Sequence, residues 1–396
     1  MDALMLPLNW QKVRLGDIAE IKRGASPRPI ENPKWFCTNS NVGWVRISDI
    51  SKNSRFLYKT AQKLSKKGIE KSRFIKQNSL IMSMCATIGK PIITKIDTCI
   101  HDGFVVFENP KIDLNYLYYF LCYIEKEWLE SGQQGSQVNL NVDLIKNKEV
   151  FCPKDLDEQA AIANILSDLD HYLCSLDALI LKKESVKKAL SFELLSQRKR
   201  LKGFNQAWQR VKVKDFGIII TGSTPLTQIS EYWNGTISWI TPTDINDNKD
   251  IFNSERKITQ KGLDTIRMIP KNSVLVTCIA SIGKNAILRV NGACNQQINA
   301  IIPNKDFNAD FVYYLMENNK QYLLGKAGVT ATYIISKQVF EEIDFFVPKD
   351  LNEQIAIANI LSDLDSEIIS LKNKKRQFEN IKKALNHDLM SAKIRV

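Results

Sequence analysis

The first segment whose residues could carry out chemistry lies near the amino terminus. Asp17, Glu20 and Lys22 follow one another in the acid–acid–lysine order of a metal-dependent nuclease. A second copy of this segment, later in the chain, retains the first acid as Asp215 but has isoleucines at the other two positions. Because the copy lacks the groups that the chemistry needs, we do not expect nuclease activity here.

Two Ile-Gly-Lys sequences suggest a phosphate-binding loop at first sight. They end at Lys90 and Lys284, but neither has a glycine five residues before Gly89 or Gly283, and no Ser or Thr follows the lysine. A Walker-type loop requires both features. The sequences predict a turn at the end of a strand, with a lysine that can contact a nucleic-acid phosphate.

Two glycine-bounded segments carry side chains that can form hydrogen bonds with bases. In GQQGSQVNLN the amides are suited to adenine, and in GKAGVTATY the hydroxyls and a lysine take their place. We predict that these side chains bind DNA: Gln133, Gln134, Gln137 and Asn139 in the first segment, and Lys326, Thr330, Thr332 and Tyr333 in the second. The alternative is a solvated glycine-rich loop.

Residues 55–76 interleave basic and aromatic side chains. Lys63, Lys66, Lys67 and Arg73 fit contacts to phosphates, which position a protein on DNA without reading its sequence. The alternative is an ordinary charged surface.

Composition limits the classes of protein to which the chain can belong. It has 396 residues, a net charge of +12 and 44% hydrophobic residues, and no apolar run approaches the roughly 18 residues of a membrane span. With three histidines and eight scattered cysteines, we expect buried free thiols and no metal site. No secretory signal is visible, so a cytoplasmic location is expected.

The elements that must position these residues are organised by an internal repeat. PKDLDEQAAIANILSDLD at Pro153 returns as PKDLNEQIAIANILSDLD at Pro348, and shorter matches pair Trp10 with Trp208 and Trp44 with Trp239. Apolar strand-like runs and turn residues precede each long copy. We read the four tryptophans as core residues.

The repeat predicts an α+β fold with two similar mixed α/β domains and two long helices. The predicted boundaries are residues 1–153 for the first domain, 154–202 for the first helix, 203–348 for the second domain and 349–396 for the second helix. Asp155 to Glu158, and the same positions in the second copy, have the spacing of a capping box.

Apolar residues in each helix recur at spacings of three and four, which predicts a coiled-coil seam. The predicted seam positions are Ile162, Ile165, Leu169, Tyr172, Leu176, Leu179, Val186, Leu190 and Leu194, then Ile357, Ile360, Leu364, Ile368, Leu371, Phe378, Ile381, Leu385 and Leu389. Antiparallel pairing within one chain would create a pseudo-twofold axis. Pairing between chains is the alternative.

The repeated helix start, the Gly-x-x-Pro turns, WITPTDI and the Ile-Gly-Lys sequences together resemble the specificity subunit of type I restriction-modification systems. The first half departs from this pattern, with GASP where the second half has GSTP. The resemblance implies a non-catalytic subunit whose two target-recognition domains read a bipartite, asymmetric double-stranded DNA site.

The resemblance also implies two methyltransferase subunits, with restriction subunits joining them. It implies S-adenosylmethionine and ATP on those partners and no cofactor on this chain. We predict that the helix starts, at Glu158, Gln159, Glu353 and Gln354, bind the methyltransferase subunits, although these residues could instead only cap the helices. A coiled-coil scaffold that links two protein-binding domains without DNA is the alternative function.

Overall fold

The computed structural model describes residues 7–51, 55–131, 140–246, 248–329 and 333–396, with the backbone alone at 129–131 and 329. It divides into two compact units. The first unit is Met1–Asp177 with Lys374–Val396, and the second is Ala178–Asn373. This division differs from the four segments predicted from sequence, because each unit includes parts of both long helices.

The first unit contains eleven described strands in three sheets. Their bounds are β1 (Trp10–Arg14), β2 (Glu20–Arg23), β3 (Gly43–Val45), β4 (Phe56–Leu57), β5 (Gln62–Lys63), β6 (Arg73–Ile75), β7 (Leu80–Ser83), β8 (Pro91–Thr94), β9 (Thr98–Ile100), β10 (Phe104–Glu108) and β11 (Glu149–Pro153). The sheet orders are β1-β11, β2-β10-β7-β8-β4 and β5-β3-β9-β6.

Seven α-helices begin among the described residues of the first unit. They are α1 (Leu15–Ile18), α2 (Ile47–Ser51), α3 (Lys66–Glu70), α4 (Leu114–Tyr123), α5 (Glu125–Ser131), α6 (Val142–Asn147) and the long α7 (Leu156–Leu195). A short 3₁₀ helix covers Pro33–Trp35.

The second unit repeats this order. Its described strands are β12 (Trp208–Lys212), β13 (Gly217–Thr221), β14 (Trp233–Ile240), β15 (Asp250–Ile251), β16 (Lys257–Ile258), β17 (Ser273–Thr277), β18 (Asn285–Leu288), β19 (Gly292–Cys294), β20 (Ile298–Pro303), β21 (Gly328–Val329), β22 (Tyr333–Ile334) and β23 (Asp344–Pro348). Its helices are α8 (Gln260–Leu263), α9 (Ala309–Asn318), α10 (Lys320–Leu324), α11 (Lys337–Glu342) and the long α12 (Leu351–Met390), with 3₁₀ turns at Val213–Asp215 and Ser230–Tyr232.

The strand orders of the second unit are β12-β23, β13-β20-β17-β18-β15, β16-β14-β19 and the hairpin β21-β22. The first three correspond strand for strand to the sheets of the first unit, which adds β6 to its small sheet. The predicted repeat of two mixed α/β domains is therefore confirmed in the fold.

Within each unit the two long helices run antiparallel. In the first unit Asp170 pairs with Lys382 at 2.5 Å, and Asp177, seven residues later, pairs with Lys375, seven residues earlier, at 2.7 Å. In the second unit Glu184 pairs with Lys372 and Lys187 with Asp365. The predicted antiparallel, intramolecular pairing is thus confirmed.

The predicted apolar seam is wrong in part. Leu179, Val186 and Ile381 are 38, 39 and 49% exposed, while Ile180, which was not assigned to the seam, is 7% exposed. The physical reason is that each helix also packs against a domain. Ile162 and Leu166, for example, belong to the core of the first unit.

The cysteines follow the expected pattern only partly. All eight cysteines are free. Cys37 and Cys174 are exposed, and Cys99, Cys152, Cys278 and Cys294 are buried.

Among the described residues, no helix is long and apolar enough to cross a membrane.

Candidate nucleic-acid interface

The small sheet of each unit has a buried tryptophan at its centre. Trp44 on β3 and Trp239 on β14 are 1 and 3% exposed. Each strand runs parallel to the later strand beside it, with Trp44 opposite Cys99 and Trp239 opposite Ala293. These tryptophans, like Trp10 and Trp208, lie in the core as predicted. Residues around them therefore occupy matched positions in the two units.

A glycine brings the loop of the Gly-x-x-Pro sequence onto this sheet. A Cβ atom at Gly24 would lie 2.0 Å from the carbonyl oxygen of His101, and one at Gly222 would lie 2.2 Å from that of Asn295. No side chain fits at such distances. The approach places the following loop beside β9 in one unit and β19 in the other.

The basic residues predicted to contact phosphates within residues 55–76 share one region of the first unit. Lys63 ends β5, and Lys66 and Lys67 open α3, whose first turn is capped by Ser65. The three lysines are exposed and have no acidic partner among the residues that the structure describes. Arg73 differs, because its Nε donates to the carbonyl oxygen of Arg23 at 2.5 Å. The sheet and α3 together present positive charge that is not neutralised internally.

The Ile-Gly-Lys sequences form turns between antiparallel strands, as predicted. Gly89 lies between β7 and β8 with φ +78°, and Gly283 lies between β17 and β18 with φ +82°. Neither turn opens a helix, so neither has the geometry of a phosphate loop. Lys90 is half-buried and Lys284 is exposed.

Each of these turns is bonded to the end of a glycine-bounded segment. The N–H of Leu140 donates to the carbonyl oxygen of Met84 at 3.1 Å, and the N–H of Ala280 donates to that of Tyr333 at 3.1 Å. The described end of each segment thus lies beside the turn of its own unit. Lys326 is exposed and Tyr333, on β22, is 49% exposed. The other predicted reading residues lie outside the described part of the chain: Gln133, Gln134, Gln137, Asn139, Thr330 and Thr332.

The capping box predicted at the helix starts forms only in part. Asp155 accepts the N–H of Asp157 at 3.0 Å, but Glu158 turns away from the helix end to accept from Trp10 Nε1 at 3.1 Å and Asn9 Nδ2 at 2.7 Å. The glutamate therefore joins the helix to the first strand.

The prediction that the buried side chains at the helix starts contact a partner needs correction. Gln159, Glu353 and Gln354 are 1, 1 and 0% exposed. Arg200 donates to both carboxylate oxygens of Glu353, at 3.2 and 2.8 Å, and Trp208 Nε1 donates to one of them at 3.3 Å. These groups are therefore inaccessible to another protein.

The two glutamines bond to backbone in the same way in both units. Gln159 accepts the N–H of Asp113 and donates to the carbonyl oxygen of Pro153, both at 2.8 Å. Gln354 accepts the N–H of Asn308 at 3.0 Å and donates to Pro348 at 3.1 Å. Since unpaired polar groups are costly to bury, these glutamines fix each helix start to its domain. Glu158, which is half-buried, remains a predicted partner contact.

The acid–acid–lysine set is not arranged as a metal site. Lys22 pairs with Glu20 at 2.9 Å and with Glu108 at 2.5 Å. Hydrogen bonds to Glu108 and Glu20 raise the pKa of Lys22, and the bond from Lys22 lowers the pKa of Glu20. Within the described ranges, no group of three or more His, Cys, Asp and Glu side chains could hold a metal ion.

Sequence reasoning missed the polar clusters that join domain and helices inside each unit. The phenol of Tyr119 donates to Asp170 at 2.6 Å, and that of Tyr314 donates to Asp365 at 2.7 Å. Burial raises the pKa of both tyrosines. The matched Tyr-Tyr pairs of the two halves were the only signal, because their acidic partners lie far along the chain.

Two arginines were also missed. Arg46 follows β3 in the first unit, and Arg256 lies just before β16 in the second. Both guanidinium groups lie beside the small sheet, where Arg46 lines a concavity with Trp44 and Arg256 covers the ring of Trp239. The repeat gives no signal for either arginine, because Arg46 is matched by Thr241 and Arg256 by Gln62.

Two long stretches of the chain, residues 7–183 and 205–380, match the family described as the type I restriction modification DNA specificity domain. The type I restriction enzyme MjaIX specificity subunit of Methanocaldococcus jannaschii is 36% identical over 182 residues, which cover 44% of this chain and 41% of that protein. The EcoR124I/EcoR124II specificity subunit of Escherichia coli is 26% identical over 274 residues, 65% of each protein. The matched parts thus span less than two thirds of these two relatives, whereas the match to the MjaVIII specificity subunit of M. jannaschii, at 24% identity, covers 100% of this chain and 95% of that one.

Solved structures show the same fold. The type I restriction-modification S subunit from M. genitalium superposes with a TM-score of 0.62 at 14% identity, covering 98% of this chain and 97% of that one. The HsdS subunit from Thermoanaerobacter tengcongensis gives a TM-score of 0.52 at 17% identity, with the same coverage.

Proposed function

The chain belongs to the type I restriction-modification DNA specificity family, and from this premise we propose that it is the subunit that selects the DNA sequence in such a complex. In this proposal each unit reads one half of a bipartite, asymmetric site on double-stranded DNA. The chain itself catalyses no reaction and binds no cofactor.

One observation carries the proposal. The two units repeat the same three sheets, yet a matched surface lysine has different neighbours in each. Lys67 on α3 has no acidic partner among the described residues, whereas Lys261, its match on α8, pairs with Glu231 at 2.6 Å. A constant framework with divergent surfaces suits a protein that reads two similar but unequal objects. Two unlike half-sites on DNA meet that description.

Positive charge supports DNA as the ligand. The net charge is +12, and Lys63, Lys66 and Lys67 add unneutralised charge on one sheet and its helix. Such groups contribute affinity through phosphate contacts and carry no sequence information. The turn lysines Lys90 and Lys284 are proposed for the same role.

The proposed partners are two methyltransferase subunits, which carry S-adenosylmethionine, and restriction subunits, which use ATP. The duplicated helix start supports two copies of one partner. Because its buried residues hold the domain, the contact is assigned to its outer face, where Lys154 and Asp157 are exposed in one copy and Lys349 and Asn352 in the other. Glu158 borders this face.

Footprinting tests the proposal directly. The chain is assembled with the methyltransferase subunit of its own system, and the complex and each component alone are footprinted on DNA with S-adenosylmethionine present. We expect two protected blocks separated by unread bases, and methylation only by the complex. A complex with no sequence preference would favour a scaffold without DNA recognition. Methylation by the isolated chain would overturn the non-catalytic assignment.

A further inference from the structure

Arg46 follows β3 and Arg256 precedes β16, so the two arginines occupy different positions beside the tryptophans of the small sheets. The strand registers define these positions, because Gly43 lies opposite Lys63 in the first unit and Ser238 lies opposite Lys257 in the second. Gln62 precedes Lys63 by one residue and Arg256 precedes Lys257 by one residue, so Gln62 and Arg256 occupy matched positions. Arg46 and Thr241 also match, because each follows its buried tryptophan by two residues.

In the first unit a hydrogen bond fixes the direction of the arginine. The Nε of Arg46 donates to Oε1 of Gln62 at 2.9 Å. Among the described residues, the two terminal nitrogens of this guanidinium have neither a hydrogen-bond acceptor nor an acid. The residue lines a concavity of about 170 Å³, which His101 and Asp102 also line.

In the second unit the arginine is held by aromatic rings. The guanidinium of Arg256 lies 4.1 Å from the ring centroid of Trp233 and 4.8 Å from that of Trp239. Such cation–π contacts do not use up the N–H donors of the guanidinium, and no described residue accepts a hydrogen bond from them. Thr241, at the position of Arg46, is instead bonded to Asp244 at 2.7 Å. Each unit thus supplies one guanidinium beside its buried tryptophan. In the first unit the arginine follows the strand of the tryptophan, and in the second it precedes the neighbouring strand.

A guanidinium with two free parallel donors has a preferred base. Guanine presents O6 and N7 as neighbouring acceptors in the major groove, and a bidentate arginine is the commonest specific contact to it. A side chain that is already oriented loses less conformational entropy on binding than a side chain that rotates freely. Both arginines are oriented before DNA arrives.

We propose that Arg46 and Arg256 are specificity-determining residues, each of which reads one guanine in the half-site of its own unit. This inference rests on the proposed function and adds the class of base and the residues that read it. Lys63, Lys66 and Lys67 position the DNA, and the two arginines select its sequence.

The test uses the chain co-expressed with its methyltransferase subunit, with methylated sites mapped across the host genome. Arg46→Lys retains the charge but loses the planar fork. We expect it to lower the preference for one G·C pair in one half-site by roughly 5- to 150-fold, the loss of a bidentate contact. Arg256→Lys should do the same in the other half only.

Lys66→Gln is the matched control, expected to weaken methylation at every site without changing the motif. Gln62→Ala removes only the group that orients Arg46, so it should weaken the same G·C preference to a smaller degree. Melting temperatures of all variants confirm that they fold.

The inference is wrong if either arginine variant leaves its half-site unchanged, weakens all sites uniformly, or alters the half read by the other unit. A half-site without a G·C pair contradicts the assignment for its unit. A wild-type complex with no bipartite motif contradicts the proposed function as well, so the two failures are distinguishable.

Discussion

The indole N–H of Trp10 donates to Oε1 of Glu158 at 3.1 Å and so binds the first strand of the chain to the first turn of the first long helix. Trp208 and Glu353 form the same bond at 3.3 Å in the second unit. The acid that local spacing assigned to a helix cap therefore connects helix and domain. Its environment differs between the units, because Glu353 also binds Arg200 and is buried.

This difference predicts unequal effects of the same substitution. Glu353→Ala leaves the guanidinium of Arg200, which is 25% exposed, without its partner, and should lower the free energy of unfolding by about 3 kcal/mol. Glu158→Ala, at a half-buried site, should cost about 1 kcal/mol. Urea denaturation followed by circular dichroism measures both. Equal shifts of the two midpoints would show that burial of the second pair is not what matters.

The aspartates that link the helices predict a measurable coupling. Asp170 accepts from both Tyr119 and Lys382, and its side chain is 21% exposed. In a double-mutant cycle, Asp170→Asn and Lys382→Met should show a coupling of about 1 kcal/mol, since solvent screens a pair of this exposure only partly. Lys383→Met with Asp170→Asn is the control. Lys383 is exposed and has no acidic partner in the described chain, so its coupling should be near zero.

Thiol reactivity should separate the cysteines by burial. Desolvation raises the pKa of Cys99, Cys278 and Cys294 to about 12, so their thiolate fraction at pH 8 is very small. Labelling with a disulfide reagent at pH 8 should therefore be fast at the exposed Cys37 and Cys174. The double variant Cys37→Ser/Cys174→Ser should lose the fast phase. A fast phase that survives this change would place another thiol at the surface.

Sequence patterns predicted what depends on local spacing and repetition. The two mixed domains, the antiparallel long helices and the tryptophan cores all follow from periodicity and from the match between halves. The patterns failed where a side chain's partner lies far along the chain. Glu158 has the spacing of a capping box and Gln159 follows it, yet Trp10 and Asp113, which bind them, are brought near only by the tertiary fold.

The same limit explains the errors in the apolar seam and the missed arginines. Leu179 satisfies the heptad spacing but is 38% exposed, whereas its neighbour Ile180 is 7% exposed, so the spacing alone does not identify the covered face. Arg46 is two residues from Trp44 but is not repeated in the second half, and Arg256 is brought beside Trp239 only by the strand register.

The lysines of α3 and α8 offer a matched test of phosphate contact. Lys67 is exposed and unpaired among the described residues, whereas a hydrogen bond from Lys261 to Glu231 raises the pKa of Lys261 and already neutralises part of its charge. Each lysine that displaces a counterion contributes about 0.9 to the slope of log K against log salt concentration. Lys67→Gln should therefore lower this slope by about 0.9, while Lys261→Gln should lower it less. Both slopes are measured by fluorescence anisotropy, with the methyltransferase complex bound to a duplex that contains its motif.

Because phosphate contacts carry no sequence information, the methylated motif should stay the same in both variants. An equal loss of slope would mean that Glu231 releases Lys261 on binding DNA, and no loss at Lys67 would place the DNA away from α3.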